Sequence, residues 1–331
     1  MPDITTRYMG IDLKNPIIAG SCGLTGSTEK VKELEDGGAA AVVLKSIFEE
    51  EILYEMDRIF SGKEFTSYEL ERYDYYDYQI RKENLKHYTK LIEECKNTVS
   101  IPVIASVNCA YSYEWIQYAK QLESAGADGL ELNMFFLPLN FKRSTEEMEK
   151  SYFEIVEKIQ KEISIPIALK ISCYFTNLGP MIQKLSNSGV SALVLFNRFY
   201  RPDIDIDNFQ VVPSSIFSTP EEILTPLRWI AIMSQKAGCD LAASTGIHDG
   251  KAVIKQLLVG AKAVQVASAL YKNGSGCIRK MLAEIEDWMK KQKFEEIEQF
   301  RGKLSQEKTE DPKLYERVQF MKYYGGKKDT V

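Results

Sequence analysis

Short apolar runs recur along this chain, each followed by a longer stretch of helical periodicity. Eight runs read as strands: Pro16–Ser21, Ala40–Lys45, Pro102–Val107, Gly129–Met134, Pro166–Ile171, Ala192–Phe196, Asp240–Ser244 and Ala263–Ala267. Most follow a Gly-x or Ile-Pro signal, such as Ala-Gly-Ala-Asp-Gly before Leu130 or Gly-Ala-Lys before Ala263, the usual punctuation between a helix end and a strand entry. The intervening stretches carry single apolar faces, as at Trp115, Ala119 and Leu122, or at Ile155, Ile159 and Ile163. The runs lack polar alternation, so the sheet is expected to be buried on both faces. Eight such units predict an α/β fold, a (β/α)8 TIM barrel with its chemistry on the loops after the strands. A doubly wound open sheet satisfies the same pattern, because periodicity alone does not show closure.

Two connections exceed simple turns: Ile47–Asn97, rich in Tyr and Glu, and Asn197–Ile223. Long loops on the carboxyl face of a barrel carry or cover a site. Residues 1–305 read as a single barrel, and 306–331 as a charged peripheral extension with Gly-Gly-Lys-Lys-Asp near its end.

Composition narrows the class. Of 331 residues, 44% are hydrophobic and 27% charged, which predicts a packed core rather than disorder. A net charge of −5 argues against a nucleic-acid-binding face. The absence of any apolar run of about eighteen residues, and of a signal-like start, predicts no membrane association and a cytoplasmic location. Six cysteines without a Cys-x-x-Cys pair, and only His87 and His248 as imidazoles, form no zinc or iron–sulfur spacing; reduced thiols are expected.

The chemistry concentrates where the runs end. Lys45 and Lys170 each close an apolar run, and a lysine on the inner wall of an α/β domain is costly unless an anion meets it. One anionic ligand across the barrel mouth would serve both; two unrelated snorkelling lysines are the plainer alternative. Runs seven and eight end in Ser244-Thr245-Gly246 and Ala267-Ser268, small and hydroxylated residues at the position where barrels hold phosphate. Small residues packing under helices would look the same. Gly20 and Ser21 close run one, and Asn108, Asn133 and Asn197 stand at the ends of runs three, four and six. Any one Asn suits a helix cap. Together the set offers many donors and few acceptors, which matches the carbonyl edge of a flavin, with a lysine placed to stabilise the reduced ring.

These residues resemble the dihydroorotate dehydrogenase family, FMN-dependent (β/α)8 barrels. The resemblance is carried by Asn15–Ser21, Leu44-Lys45-Ser46, Ile104–Asn108, Glu131-Leu132-Asn133, Leu169-Lys170-Ile171, Asn197, Ser244–Ile247 and Gln265–Leu270, and covers roughly residues 5–305. It is closer to the family's soluble branch. It implies that Gly20, Ser21, Lys45, Ser46, Asn108, Asn133, Lys170 and Asn197 surround the flavin, and that Ser244, Thr245, Gly246, Ala267 and Ser268 hold its phosphate. Asn133, Asn197 and Arg198 are expected to meet an anionic small-molecule substrate. A homodimer is also implied, and any NAD route would need an electron-transfer partner subunit.

The substrate side departs from the family pattern. Where the family has Ser-Cys-Pro-Asn, with Cys or Ser as the base, this chain reads Met134-Phe135-Phe136-Leu137-Pro138. Phe136 falls at the base position and cannot take a proton. The family's Asn-x-x-Gly-Leu-Pro-Asn stretch is replaced by the tyrosine-rich segment around Tyr68–Tyr76, and Arg198 stands where Ser or Thr is usual. Loss of a positioned base costs about 10²–10⁴ in rate. Cys173, His248 and the tyrosines Tyr73, Tyr75, Tyr76 and Tyr78 are the alternatives nearby, with Cys173 reading as a small buried thiol and His248 as a helix cap. The expected activity is FMN-dependent oxidoreduction of a CH–CH bond, nominally dihydroorotate to orotate in pyrimidine biosynthesis. A different substrate, or a flavin electron-transfer subunit, is the alternative.

Overall fold

The computed structural model describes residues 1–48, 67–108, 115–134, 142–199 and 201–316, except the side chains of 48, 67–81 and 115–117. All eight predicted strands form: β1 (Ile17–Ala19), β2 (Ala41–Val43), β3 (Val103–Asn108), β4 (Gly129–Met134), β5 (Ile167–Ile171), β6 (Ala192–Leu195), β7 (Asp240–Ser244) and β8 (Ala263–Val266). They pair in parallel in the order β2-β1-β8-β7-β6-β5-β4-β3. The β2–β3 pairing, with Val42 beside Val103, closes the ring. Closure selects the TIM barrel over the open sheet.

Helices fill the crossovers: α1 (Thr28–Asp36), α2 (Ser67–Thr98), α3 (Trp115–Ser124), α4 (Thr145–Gln160), α5 (Leu178–Ser186), α6 (Leu224–Met233), α7 (Gly250–Val259), and α8 (Ser268–Asn273) with α9 (Gly276–Gln292) after β8. Much of the long segment after β2 is therefore one 32-residue helix rather than loop. No Gly or Pro interrupts it. Leu85, Tyr88, Ile92 and Cys95, spaced three and four apart, are its buried face. No helix among the described residues is long and apolar enough to cross a membrane.

Inside the ring, residues alternate with the strand period. Ile18, Ala41, Val43, Ile104, Ala168, Ala192, Val194, Ala242 and Ala263 fill the lower layers around Tyr8, Met9 and Leu13. Those three come from a hairpin, Thr6–Tyr8 with Ile11–Leu13, that stoppers the amino end of the barrel. Met9 and Gly10 both have positive φ, 56° and 76°, as a two-residue type I′ turn requires. The Met9 N–H donates to Asp240 Oδ2 at 2.9 Å, locking the plug to β7. Strands of three residues are too short to show alternation, so the sequence pattern misses this hairpin.

Above the apolar layers the inward positions turn polar, with Ser106, Asn108, Glu131, Asn133, Lys170 and Gln265 all buried. This change of chemistry along β3, β4, β5 and β8 creates the site.

The Asn197–Ile223 connection also has structure. Pro202–Asp205 pairs with Gln210–Pro213 as a second hairpin, with Ile204 opposite Val211 and Pro202 opposite Pro213. These four lie on one face and are exposed, as are Ile206 and Phe209 beside them. The opposite face carries Asp203, Asp205 and a half-buried Val212.

Candidate functional site

A cleft of about 410 Å³ opens at the carboxyl end of the barrel, within the size range of small-molecule sites. Ser21, Lys170, Asn197, Arg198, Ser244, Thr245, Gly246, Ala267 and Ser268 line it. The sequence pattern brings out all nine. It misses Phe217, Ser218, Gln265 and Tyr271, which also line the cleft.

The floor is a buried polar network. Lys170 Nζ donates to Gln265 Oε1 at 2.8 Å and stands 3.6 Å from Glu131 Oε1. The Gln265 amide in turn donates to Glu131 Oε2. Burial of Lys170 therefore does not by itself demand an anionic ligand, because Glu131 supplies the opposing charge. Lys45 differs from its sequence reading in another way. It lies beyond the end of β2 and is exposed, its backbone N–H donating to Thr25 O at 3.2 Å.

Other predicted residues are tied to this cleft through hydrogen bonds and packing. Asn197 Nδ2 donates to Asn133 Oδ1 at 2.7 Å, so one carboxamide orients the other. Asn108 ends β3 in register with Asn133. Ser21, Ser46 and Ser106 form a hydroxyl chain, with Oγ···Oγ distances of 3.0 and 2.7 Å. The backbone of Ser106 both donates to and accepts from the Tyr88 hydroxyl, tying α2 to this wall. Gly20 packs on the floor; a Cβ there would come within 3.3 Å of Gln265 Cβ.

At the β7–β8 end, Thr245 and Gly246 are consecutive left-handed residues, with φ of 80° and 78°. Only glycine fits at 246, since a Cβ would lie 2.2 Å from the Ile223 backbone nitrogen. Ser268 Oγ accepts from the Ser218 N–H at 2.9 Å, and Ser218 Oγ lies 3.0 Å from His248 Nε2. Burial, then the nearby Lys272 ammonium, pushes His248 below the ordinary imidazole range. His248 is not the helix cap its position suggested. Asp249 caps α7, accepting from Ala252 N at 2.7 Å.

Arg198 spends three donors on its own loop: Nε on Glu222 at 2.9 Å, and the two Nη groups on the carbonyls of Ile216 and Ser215 at 2.9 and 2.8 Å. Burial would raise the Glu222 carboxyl, but Arg198 outweighs it and holds the group below its ordinary range. The guanidinium thus braces the wall that carries Phe217 and Ser218. Cys173 packs against the core, and burial pushes its thiol up, which disfavours a thiolate base. Phe136, Cys109 and residues 317–331 lie outside the described residues, as do the side chains of Tyr68 to Tyr78.

Comparison with known proteins identifies the family. A family model described as dihydroorotate dehydrogenase matches residues 3–289. A Thermoplasma volcanium protein named dihydroorotate dehydrogenase B (NAD(+)), catalytic subunit, is 28% identical over 320 residues, covering 91% of this chain and 98% of that protein. The Thermoplasma acidophilum protein of the same name is 25% identical over 318 residues, covering 91% and 99%. The chloroplastic dihydropyrimidine dehydrogenase (NADP(+)) of Arabidopsis thaliana is 22% identical over 346 residues, covering 96% of this chain and 80% of that protein. The family match takes in all eight barrel strands and the residues at their carboxyl ends, and the chain belongs to the dihydroorotate dehydrogenase family.

Proposed function

We propose that this chain is an FMN-dependent oxidoreductase acting on the CH–CH bond of dihydroorotate or a closely related reduced pyrimidine. The observation that carries the proposal is Lys170, an ammonium held on the floor of a donor-lined cleft in a chain of this family. The donor set suits a polyoxygenated, anionic cofactor: Lys170 and Asn197 near the floor, and the hydroxyls of Ser21, Ser218 and Ser268 along the walls. FMN, when bound, supplies the two-electron acceptor. In the proposed division of labour, Ser244, Thr245, Gly246, Ala267 and Ser268 hold the phosphate, while Lys170 holds a positive charge under the ring. Asn133 and Asn197 orient each other for substrate, with Gly20, Ser21, Lys45, Ser46 and Asn108 completing the mouth.

Phe136 favours a second reading, in which the same scaffold serves a substrate whose oxidation needs no proton removed at that position. In either case the acceptor is external. Relatives named as catalytic subunits support an electron-transfer partner, and the exposed apolar hairpin supports a second copy of this chain. A cytoplasmic setting suits both.

Titrating FMN and riboflavin into the protein tests the cofactor reading. Ser268→Ala should weaken FMN by about 10–100-fold, the value of one hydrogen bond to a charged group, and leave riboflavin unchanged. Equal loss for both flavins would place the phosphate elsewhere.

A further inference from the structure

Beneath the cleft lies a charge that the proposed chemistry does not use. Glu131 is 1% exposed; its Oε2 accepts from Gln265, but Oε1 has no hydrogen bond and faces Lys170 Nζ at 3.6 Å. Gln265 is the strut of this arrangement. It leaves β8, crosses the barrel interior, and holds Glu131 of β4 and Lys170 of β5 at once. On the plug side, the Tyr8 hydroxyl is also buried without a partner. Burial, then the Glu131 charge, holds that phenol well above its ordinary range, so Tyr8 stays neutral and adds no second negative charge beside Glu131.

Lys170 lines the cleft while Glu131 does not. Whatever binds there therefore meets an ammonium backed by a carboxylate. In a water-poor interior, a carboxylate this close offsets much of the field that the ammonium projects outward.

We propose that Glu131 is a positioning residue whose buried carboxylate weakens the positive field of Lys170, keeping the potential of a flavin in the cleft lower than the lysine alone would set it. The inference rests on the flavin reading above. Reduction adds negative charge to the flavin, so a stronger positive field favours it and a damped one disfavours it. A damped field suits a centre that must pass its electrons onward rather than keep them. Gln265 fixes the geometry, so the offset is built into the barrel rather than left to a mobile side chain.

The test is the midpoint potential of FMN bound to the wild-type, Glu131→Asp and Glu131→Gln proteins, with FMN stoichiometry measured on each. Glu131→Gln keeps the shape and the acceptor for Gln265 but removes the charge. It should raise the potential so that the reduced form gains at least tenfold, about 30 mV for a two-electron couple. Glu131→Asp, which withdraws the charge by one methylene, should fall between, and gives the sign even if the Gln variant fails to fold. A purely structural role would lower FMN occupancy or thermal stability without moving the potential. Stoichiometric FMN with three equal potentials would overturn the role of Glu131 alone. Failure of the wild-type protein to take up FMN would overturn the cofactor reading, and this inference with it.

Discussion

At the residue scale, the informative signal is a charged side chain inside an apolar run. Lys170 is legible in sequence for that reason. Its partners are not: Glu131 lies on the neighbouring strand β4, and Gln265 reaches Lys170 from β8 only across the closed barrel. The same limit explains Arg198: its partners at 215, 216 and 222 reach it because the chain folds back after the hairpin. The ion pair gives a direct prediction. Lys170→Met leaves a buried carboxylate unpaired, and such losses cost about 3–5 kcal/mol. Urea unfolding should show that loss, together with slower reduction of bound flavin. A variant as stable as wild type would mean that the pairing of Lys170 with Glu131 does not stabilise the fold.

At the element scale, apolar faces are legible where one face is buried, and obscured where aromatic and charged residues mix. The second half of α2 shows its spacing at Leu85, Tyr88, Ile92 and Cys95, whereas the sequence from Ser67 to Tyr78 mixes Tyr with charged residues at no single spacing. Contacts between elements carry the pH dependence. Glu35 on α1 accepts from the backbone N–H and hydroxyl of Ser100, both at 2.7 Å, and from Lys32 at 2.9 Å. Burial alone would raise its carboxyl, but these donors outweigh it and hold it down at about 2, against 4.5 unperturbed. A depressed carboxyl contributes stability that is full above 4.5 and is lost as pH falls toward 2. Glu35→Gln should therefore cost about 1–3 kcal/mol at pH 7, the value of charge-assisted hydrogen bonds, and almost nothing near pH 2. A penalty independent of pH, read from denaturation curves at both values, would assign the loss to packing.

At the scale of the whole molecule, the eight apolar runs and their spacing carry the barrel, and all eight strands form within a few residues of the predicted limits. Closure, the amino-end plug and the cross-barrel floor depend on contacts distant in sequence, so local patterns do not hold them. The outer surface adds a further expectation. Pro202, Ile204, Val211 and Pro213 present an apolar face to solvent on a two-stranded hairpin, an element of marginal stability by itself. Covering that face by a second copy predicts a dimer that Ile204→Asp with Val211→Asp converts to monomer in sedimentation experiments. An unchanged mass would move the interface elsewhere. A flavin site that oxidises a dihydroorotate-type substrate without the family's usual base would reveal itself in one spectrum. The FMN-loaded protein is mixed anaerobically with excess dihydroorotate and its visible band is followed. One bound flavin per chain should bleach fully but slowly, about 10²–10⁴ below a site with a positioned base. A bound flavin that stays oxidised through prolonged anaerobic incubation would contradict that activity.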